Sequence, residues 1–351
     1  MDTRETPEQA ELRRAARQLA RELGPATVTD LDDDTRAKRL AAAVREAGWL
    51  ELRHDNGDGS PLASGIEACI VSEALGAAVA DVAFTGPLLA ADLARRAGVA
   101  PAEDAVVVFN ETLLEPASGG GIAVDVDPEH AHTGYVLLSD KDGPRLARTN
   151  LSKSQNSESE RAHTERSRGL GEVSGGADLT RAIVEVPDGA EVSYVDGARP
   201  LCGDDLAQFT ALGLALMSAD LVGVMRGVLD VTVAYASERR QFGVPVGSFQ
   251  AVQHLLAEAR CLLEGSLSTA LYASWAVDEL AAADAIDAGR VAKAYCSRAA
   301  RTVCETAIQV HGGIGNTWDC IAHVYLRRAL LSSQWFGDDG VQLQEMANGL
   351  S

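Results

Sequence analysis

Two stretches of this 351-residue sequence hold residues whose types and spacing could do chemistry. In "ERRQFGVPVGSFQ" (238–250) a helical pattern stops near Arg240, beside Arg239, and Gly243, Pro245 and Gly247 force a turn before the next helix, which Ser248 is placed to cap. A helix end followed by a fresh helix start offers unpaired backbone N–H groups and a positive dipole end beside two guanidinium forks. That suits a phosphate or pyrophosphate. The same residues also fit an inter-helix turn whose arginines pair with the chain's many acids. In "AIQVHGGIGNTW" (307–318) a helix carrying Gln309 runs into Gly312, Gly313 and Gly315, whose missing side chains let another molecule lie against the backbone. A plain helix C-cap accounts for these glycines as well, and no lysine follows to make a P-loop. A third glycine run, "ASGGGIAV" (117–124), reads as a surface turn.

The elements that must position these motifs follow from hydrophobic period. From Thr6 to about Val99 the chain reads as helices: Leu12, Ala16, Leu19 and Leu23 fall on one face, and "GIEACIVSEALGAAVA" repeats the arrangement. After Pro101 the period changes to short β-rich runs, "AVVVF", "GYVLLS" and "RAIVEV", between Gly, Pro and Asp turns. Within that region residues 150–177 have almost no large apolar side chains and are expected to form a solvated loop. From Leu206 to about Glu345 long helices return. Phe249, Val252, Leu255, Leu256, Ala259 and Leu262 trace one apolar stripe, and "DAGRVAKAYCSRAARTVCETAIQVHG" traces one broad enough to be buried on several sides. The expectation is a mainly α chain with a small β domain: a helical domain over 1–100, a β domain over 101–200 and a helical bundle over 201–351, packed against other subunits.

Composition narrows the partners. A net charge of -20 opposes nucleic acid, where a basic surface supplies most of the affinity, and gives no support to an anionic membrane. The six cysteines lie far apart, with no Cys-x-x-Cys pair and no histidine at zinc-site spacing, so reduced, mostly buried thiols and no metal are expected. The charged N-terminus lacks an apolar run of signal-peptide length, and no later segment approaches about 18 uninterrupted apolar residues. The cytoplasm is the expected location.

Taken jointly, "RRQFGVPVGSFQAVQHLLAE" followed some sixty residues later by "QVHGGIGNTWDCIAHVYLRRA" resembles the acyl-CoA dehydrogenase family, with its Arg-x-x-Phe-Gly and Gln-x-x-Gly-Gly-x-Gly motifs in this order on a C-terminal four-helix bundle. The helix, β, helix order resembles that family over nearly the whole chain. The resemblance implies removal of two hydrogens from an acyl-CoA thioester, the β hydrogen passing as hydride to FAD. It implies that Arg239, Phe242 and Gln250, and then Gln309, Gly312 and Gly313, hold the adenosine and pyrophosphate end of an FAD across a subunit interface. Arg240 lies outside the match.

The departures from the family pattern concern catalysis. The α proton is removed in the family by a glutamate beside the substrate. Its commoner position, about 27 residues after the motif glutamine, falls here on Phe336 in "QWFGDDG"; its alternative, about 26 residues before the motif arginine, falls on Gly213. Asp338 and Asp339 are the nearby substitutes, and solvated acids at a helix end describe them equally. The family's flavin-ring segments, Thr-Glu-Pro-x-x-Gly-Ser and Trp-Ile-Thr, are answered only by Glu115 and Pro116 in "NETLLEPASGGG". The expectation is therefore a subunit without a catalytic residue of its own, like those of the α2β2 acyl-CoA dehydrogenases of bacterial steroid side-chain degradation. A catalytic partner chain, an acyl-CoA substrate and an electron-transfer flavoprotein as acceptor follow from the same resemblance. Two other readings stay open: a self-sufficient homo-oligomer using Asp338 or Asp339 as base, and a pseudoenzyme that binds acyl-CoA or protein without FAD.

Overall fold

The structure is a computed structural model in which residues 4–151 and 177–349 are described. The polar stretch 150–177 thus falls, apart from its ends, outside the described residues. Four helices come first: α1 (Pro7–Leu23), α2 (Asp34–Glu46), α3 (Gly65–Ala77) and α4 (Thr85–Arg96). α1 begins at a reciprocal cap, in which Thr6 accepts from the Gln9 N–H and the Gln9 side chain accepts from the Thr6 N–H, with Pro7 as first helical residue. Its Ala16 and Ala20 are buried, and Leu12, Leu19 and Leu23 lie against the same core.

α3 does not repeat the one-sided pattern of α1; it is buried on every side from Ala68 to Gly76. Apart from Ser72 and Glu73 its sequence is apolar or small throughout this run, which is what a helix enclosed between other helices requires. Its one acid there, Glu73, stays ionised because Arg13, Arg17 and Arg226 converge on it. Burial opposes that carboxylate, and the three arginines overcome the penalty and hold its pKa below the ordinary range.

The middle of the chain forms a six-stranded sheet: β1 (Val106–Phe109), β2 (Gly121–Val126), β3 (Thr133–Leu138), β4 (Arg145–Asn150), β5 (Ala182–Val186) and β6 (Val192–Tyr194), in the order β5-β2-β1-β3-β4-β6. β1 runs parallel to β3, and the other neighbours are antiparallel. The runs "AVVVF", "GYVLLS" and "RAIVEV" are β1, β3 and β5. The glycine run at 117–124, expected as a surface turn, is one only in its first half: Ser118–Gly120 form a bend, whereas Gly121 opens β2 in the interior of the sheet. A Cβ there would lie 2.1 Å from the Phe109 carbonyl oxygen, so the close approach of β1 excludes any side chain.

The bundle comprises α5 (Gly203–Glu238), α6 (Gln250–Glu279), α7 (Ala282–His311), α8 (Ala322–Gln334) and α9 (Asp339–Gly349). α5 is long and apolar enough to cross a membrane by length and composition, yet 94% of its most apolar window is buried inside the protein. It is the core rod on which α3, α6 and α7 pack. The first stripe on α6 is less enclosed: Ala259 is buried, whereas Val252, Leu255, Leu256 and Leu262 are only half-buried and Phe249 is exposed.

One buried ionic network ties the three layers together. On α5, Asp220 accepts from Arg328 of α8 (2.7 and 3.1 Å) and Ser332 (2.7 Å), and pairs with Arg181 at the entry to β5 (2.9 Å). Arg328 also donates to the Ala80 carbonyl (2.8 Å) and Thr180 (2.9 Å). On β2, Asp125 accepts the N–H groups of Phe84, Thr85 and Gly86 at the start of α4 (3.0, 2.7 and 3.2 Å).

Candidate functional site

Up-and-down connectivity places the C-terminus of α5, the N-terminus of α6 and the C-terminus of α7 at one end of the bundle. Tyr235 and His311 fix that alignment: their rings stack at 4.4 Å and the Tyr235 hydroxyl donates to the His311 carbonyl (3.3 Å). Arg239, Phe242, Gln250, Gln309, Gly312 and Gly313 all stand at this end, and all are exposed. α5 stops at Glu238, earlier than the sequence suggested, and the Arg239 N–H closes it on the Tyr235 carbonyl (2.8 Å). Ser248 does not cap α6; its hydroxyl donates to the Pro245 carbonyl (2.6 Å), inside the turn, and Phe249 takes the N-cap position with no side-chain bond.

Between the helices lies a hairpin, β7 (Arg240–Gln241) and β8 (Val244–Pro245), whose two-residue loop is Phe242-Gly243. Both loop residues have positive φ (51° and 83°), as the tight mirror-image turn demands. Glycine accepts that freely; phenylalanine does so at a cost of about 1–3 kcal/mol. The ring so placed is 94% exposed, held from behind only by an edge-on contact with Phe249 at 6.3 Å. The side chains of Arg239, Gln250 and Gln309 form no hydrogen bond or ion pair with another described residue, whereas Arg240 reaches the Gly243 carbonyl at 3.4 Å. Gly312 ends α7 at φ +66°, and a Cβ on Gly312 or Gly313 would meet nothing within 4 Å. One guanidinium, two primary amides and an unobstructed stretch of backbone form a donor set that matches phosphate and nucleotide oxygens. These residues fit the diphosphate and adenosine end of FAD.

The two positions where a family glutamate would stand meet in space. Phe336, 2% exposed and at φ +64°, lays its ring on Gly213 of α5, so closely that a Cβ there would lie 2.1 Å from Phe336 Cζ. Phe109 of β1 and Phe209 of α5 pack on the same ring at 5.2 and 6.1 Å, and Trp335 meets Phe109 at 5.7 Å. The Phe336 N–H donates to the Leu113 carbonyl (2.9 Å). Leu113 lies in the loop containing Glu115 and Pro116, so this loop and the segment at the base position are bonded directly. Sequence spacing marked both positions as lacking an acid, but their contact joins residues 123 positions apart and has no local signature.

Lysine holds the turn that carries Phe336. The fully buried Lys293 of α7 donates to the Ser333 and Gly337 carbonyls (both 2.6 Å), capping the last turn of α8 from outside. Asp338 Oδ1 accepts the Val341 N–H (3.0 Å) as the N-cap of α9; Asp338 is exposed and Asp339 half-buried. Burial drives the Lys293 pKa down to about 7, against the pull of Cys296, Asp338 and Asp339. An unfolded lysine titrates near 10.4, so between about pH 7 and 10 the unfolded chain binds the proton that the folded chain has released. Stability contributed by this group therefore rises with pH across that window. Urea melts at pH 7 and pH 9 are expected to show this rise in the wild type and to lose it in Lys293→Met.

Comparison with known proteins agrees with this architecture. Residues 209–351 match the family model for the acyl-CoA dehydrogenase C-terminal domain. The chain is 30% identical over 345 residues to the acyl-CoA dehydrogenase IpdE2 of Mycobacterium tuberculosis, covering 93% of each. Two other curated acyl-CoA dehydrogenases match over shorter stretches, and the chain spans 49% and 19% of their lengths. Among solved structures, the Tcur3481-Tcur3483 steroid ACAD G363A variant superposes with a TM-score of 0.78 at 22% identity over 97% of both chains. The ChsE4-ChsE5 complex from M. tuberculosis gives 0.75 at 20% identity over 100% of this chain and 99% of that one. These likenesses establish the fold. Full-length similarity to IpdE2 establishes more: the chain belongs to the acyl-CoA dehydrogenase family of FAD-dependent oxidoreductases.

Proposed function

We propose that this chain is the non-catalytic subunit of a hetero-oligomeric acyl-CoA dehydrogenase and supplies the adenosine and pyrophosphate side of an FAD site to a catalytic partner. The observation that carries the reading is the Phe336 ring resting on Gly213, which fills with hydrocarbon the place where a base would act. The FAD, when bound, accepts the hydride that leaves the acyl β carbon. In this chain Arg239 donates to pyrophosphate oxygens, Gln250 and Gln309 donate to the nucleotide's polar edge, and Gly312 and Gly313 let it lie against bare backbone. The exposed Phe242 ring would pack over the nucleotide and keep water off it. The partner chain brings the glutamate that removes the α proton.

The half-buried stripe on α6 supports an interface at this same end. The fold neighbours support a paired assembly: one is a complex of ChsE4 with ChsE5, and the other carries two chain names and is called a steroid ACAD. A polycyclic acyl-CoA, and an electron-transfer flavoprotein as acceptor, are proposed on that analogy. The capping of α9 by Asp338 speaks against its use as a base in a self-sufficient enzyme.

Co-expression with an acyl-CoA dehydrogenase encoded beside it, followed by gel filtration and a flavin-to-protein ratio, tests the reading. A complex with one flavin per pair of chains, and a colourless inactive chain when expressed alone, is expected. A yellow, active protein without any partner would sink it. Within the complex, Arg239→Ala is expected to weaken FAD binding about tenfold to a hundredfold, the worth of a charge-assisted hydrogen bond.

A further inference from the structure

The turn beyond Gly315 carries an aromatic ring that the family motif does not account for. Trp318 is 56% exposed, five residues past Gly313 and just before α8, at the same end of the bundle as Arg239. Two residues of α8 hold it. His323 meets the indole edge-on, with ring centroids 5.1 Å apart and planes at 88°, and the Arg327 guanidinium stands 5.8 Å from the indole centroid. Arg327 is itself anchored by a bond to the Ala177 carbonyl (3.2 Å). His323 and Arg327 are four residues apart and so share one face of α8. Both approach the tryptophan from that helix, and the rest of the ring faces outward.

His323 is not explained by the chain's own packing. It is 7% exposed, and neither ring nitrogen has a hydrogen-bond partner. Burial and then Arg327 lower its pKa, which favours the neutral ring against the indole. A polar ring spent as an edge-on buttress, a guanidinium fixed near it and an exposed tryptophan make an anchored aromatic surface at the same end of the bundle as a donor set for a diphosphate.

We propose that Trp318 is the platform on which the adenine of the shared FAD stacks, which makes it a further binding residue of that site. The proposal rests on the function proposed above and adds a residue to that site. A purine has a π face whatever its substituents, and stacking on an aromatic side chain contributes about 1–3 kcal/mol per base in nucleic-acid sites. Arg327 leaves a cationic edge near the ring for a ribose or phosphate oxygen.

The test uses the complex of this chain with the acyl-CoA dehydrogenase that co-purifies with it, stripped of flavin and titrated with FAD. Trp318→Ala is expected to raise the FAD dissociation constant about tenfold or more, and Trp318→Phe to keep it within about threefold. ADP, which has the adenine and diphosphate but no flavin ring, is expected to compete with FAD at least about tenfold better in the wild type than in Trp318→Ala. If Trp318→Ala binds FAD like the wild type while Arg239→Ala does not, the platform is overturned and the grip stands. If both variants bind like the wild type, the grip and the platform fall together. If Trp318→Ala separates the complex on gel filtration, the ring is a contact to the partner chain, which also overturns the platform.

Discussion

Phe336→Ala is expected to cost about 3–5 kcal/mol of folding stability, the range for deleting a fully enclosed phenyl ring. The cost is high because nothing near can collapse into the gap. Phe109, Phe209 and Trp335 are themselves buried rings, and the main chain at 336 is pinned by Leu113 on one side and through Gly337 by Lys293 on the other. The same seam can be tested from α5: Gly213→Ala drives a methyl into the ring and is expected to cost about 1–3 kcal/mol by overpacking. The two changes touch one contact, so Gly213→Ala with Phe336→Leu should lose less than the two single changes combined. Denaturant melts of the isolated chain measure all four. A Phe336→Ala penalty below about 1 kcal/mol would mean that the ring does not fill the position, and the carrying observation for a non-catalytic subunit would be lost.

Arg328→Met is the second large effect, at about 3–5 kcal/mol, because it removes one of the two arginines that neutralise a buried carboxylate and leaves Asp220 to Arg181 alone. Replacing both groups, as Asp220→Asn with Arg328→Met, should recover part of the loss, since no charge then stays buried alone. The network also sets an acid limit. Burial opposes ionisation of Asp220, but Arg181 and Arg328 hold its pKa below the ordinary range. With the folded pKa depressed, its contribution is complete above the unfolded value near 3.9 and is lost as pH falls through the folded one. Thermal melts between pH 7 and 3 should therefore fall in the wild type, with a shallower fall in the double variant.

Helices and their order were legible because period is local: Leu12, Ala16, Leu19 and Leu23 mark α1, and the long apolar pattern from Leu206 marks α5. Partner strands were less so. β2 hid behind glycines that serve strand contact, and β4 ("RLARTN") hid because alternate positions are charged or polar. Ser248 was misjudged as a cap since the 3-10 turn before α6 takes its hydroxyl first. At the candidate site, residue identities could be read from spacing, and their exposure followed from connectivity. What could not be read was any contact between distant segments: Phe336 on Gly213, Lys293 on the turn after α8, or His323 against Trp318.

α5 has one more consequence. Gly213 lies on this single unbroken helix 25 residues before its last residue, Glu238, which Arg239 follows as the cap, so at 1.5 Å per residue that span is about 38 Å long. The blocked position and the exposed arginine therefore sit too far apart to exchange strain through direct contact, though one rigid shaft fixes their spacing. Substitutions at the first would therefore leave the second in place.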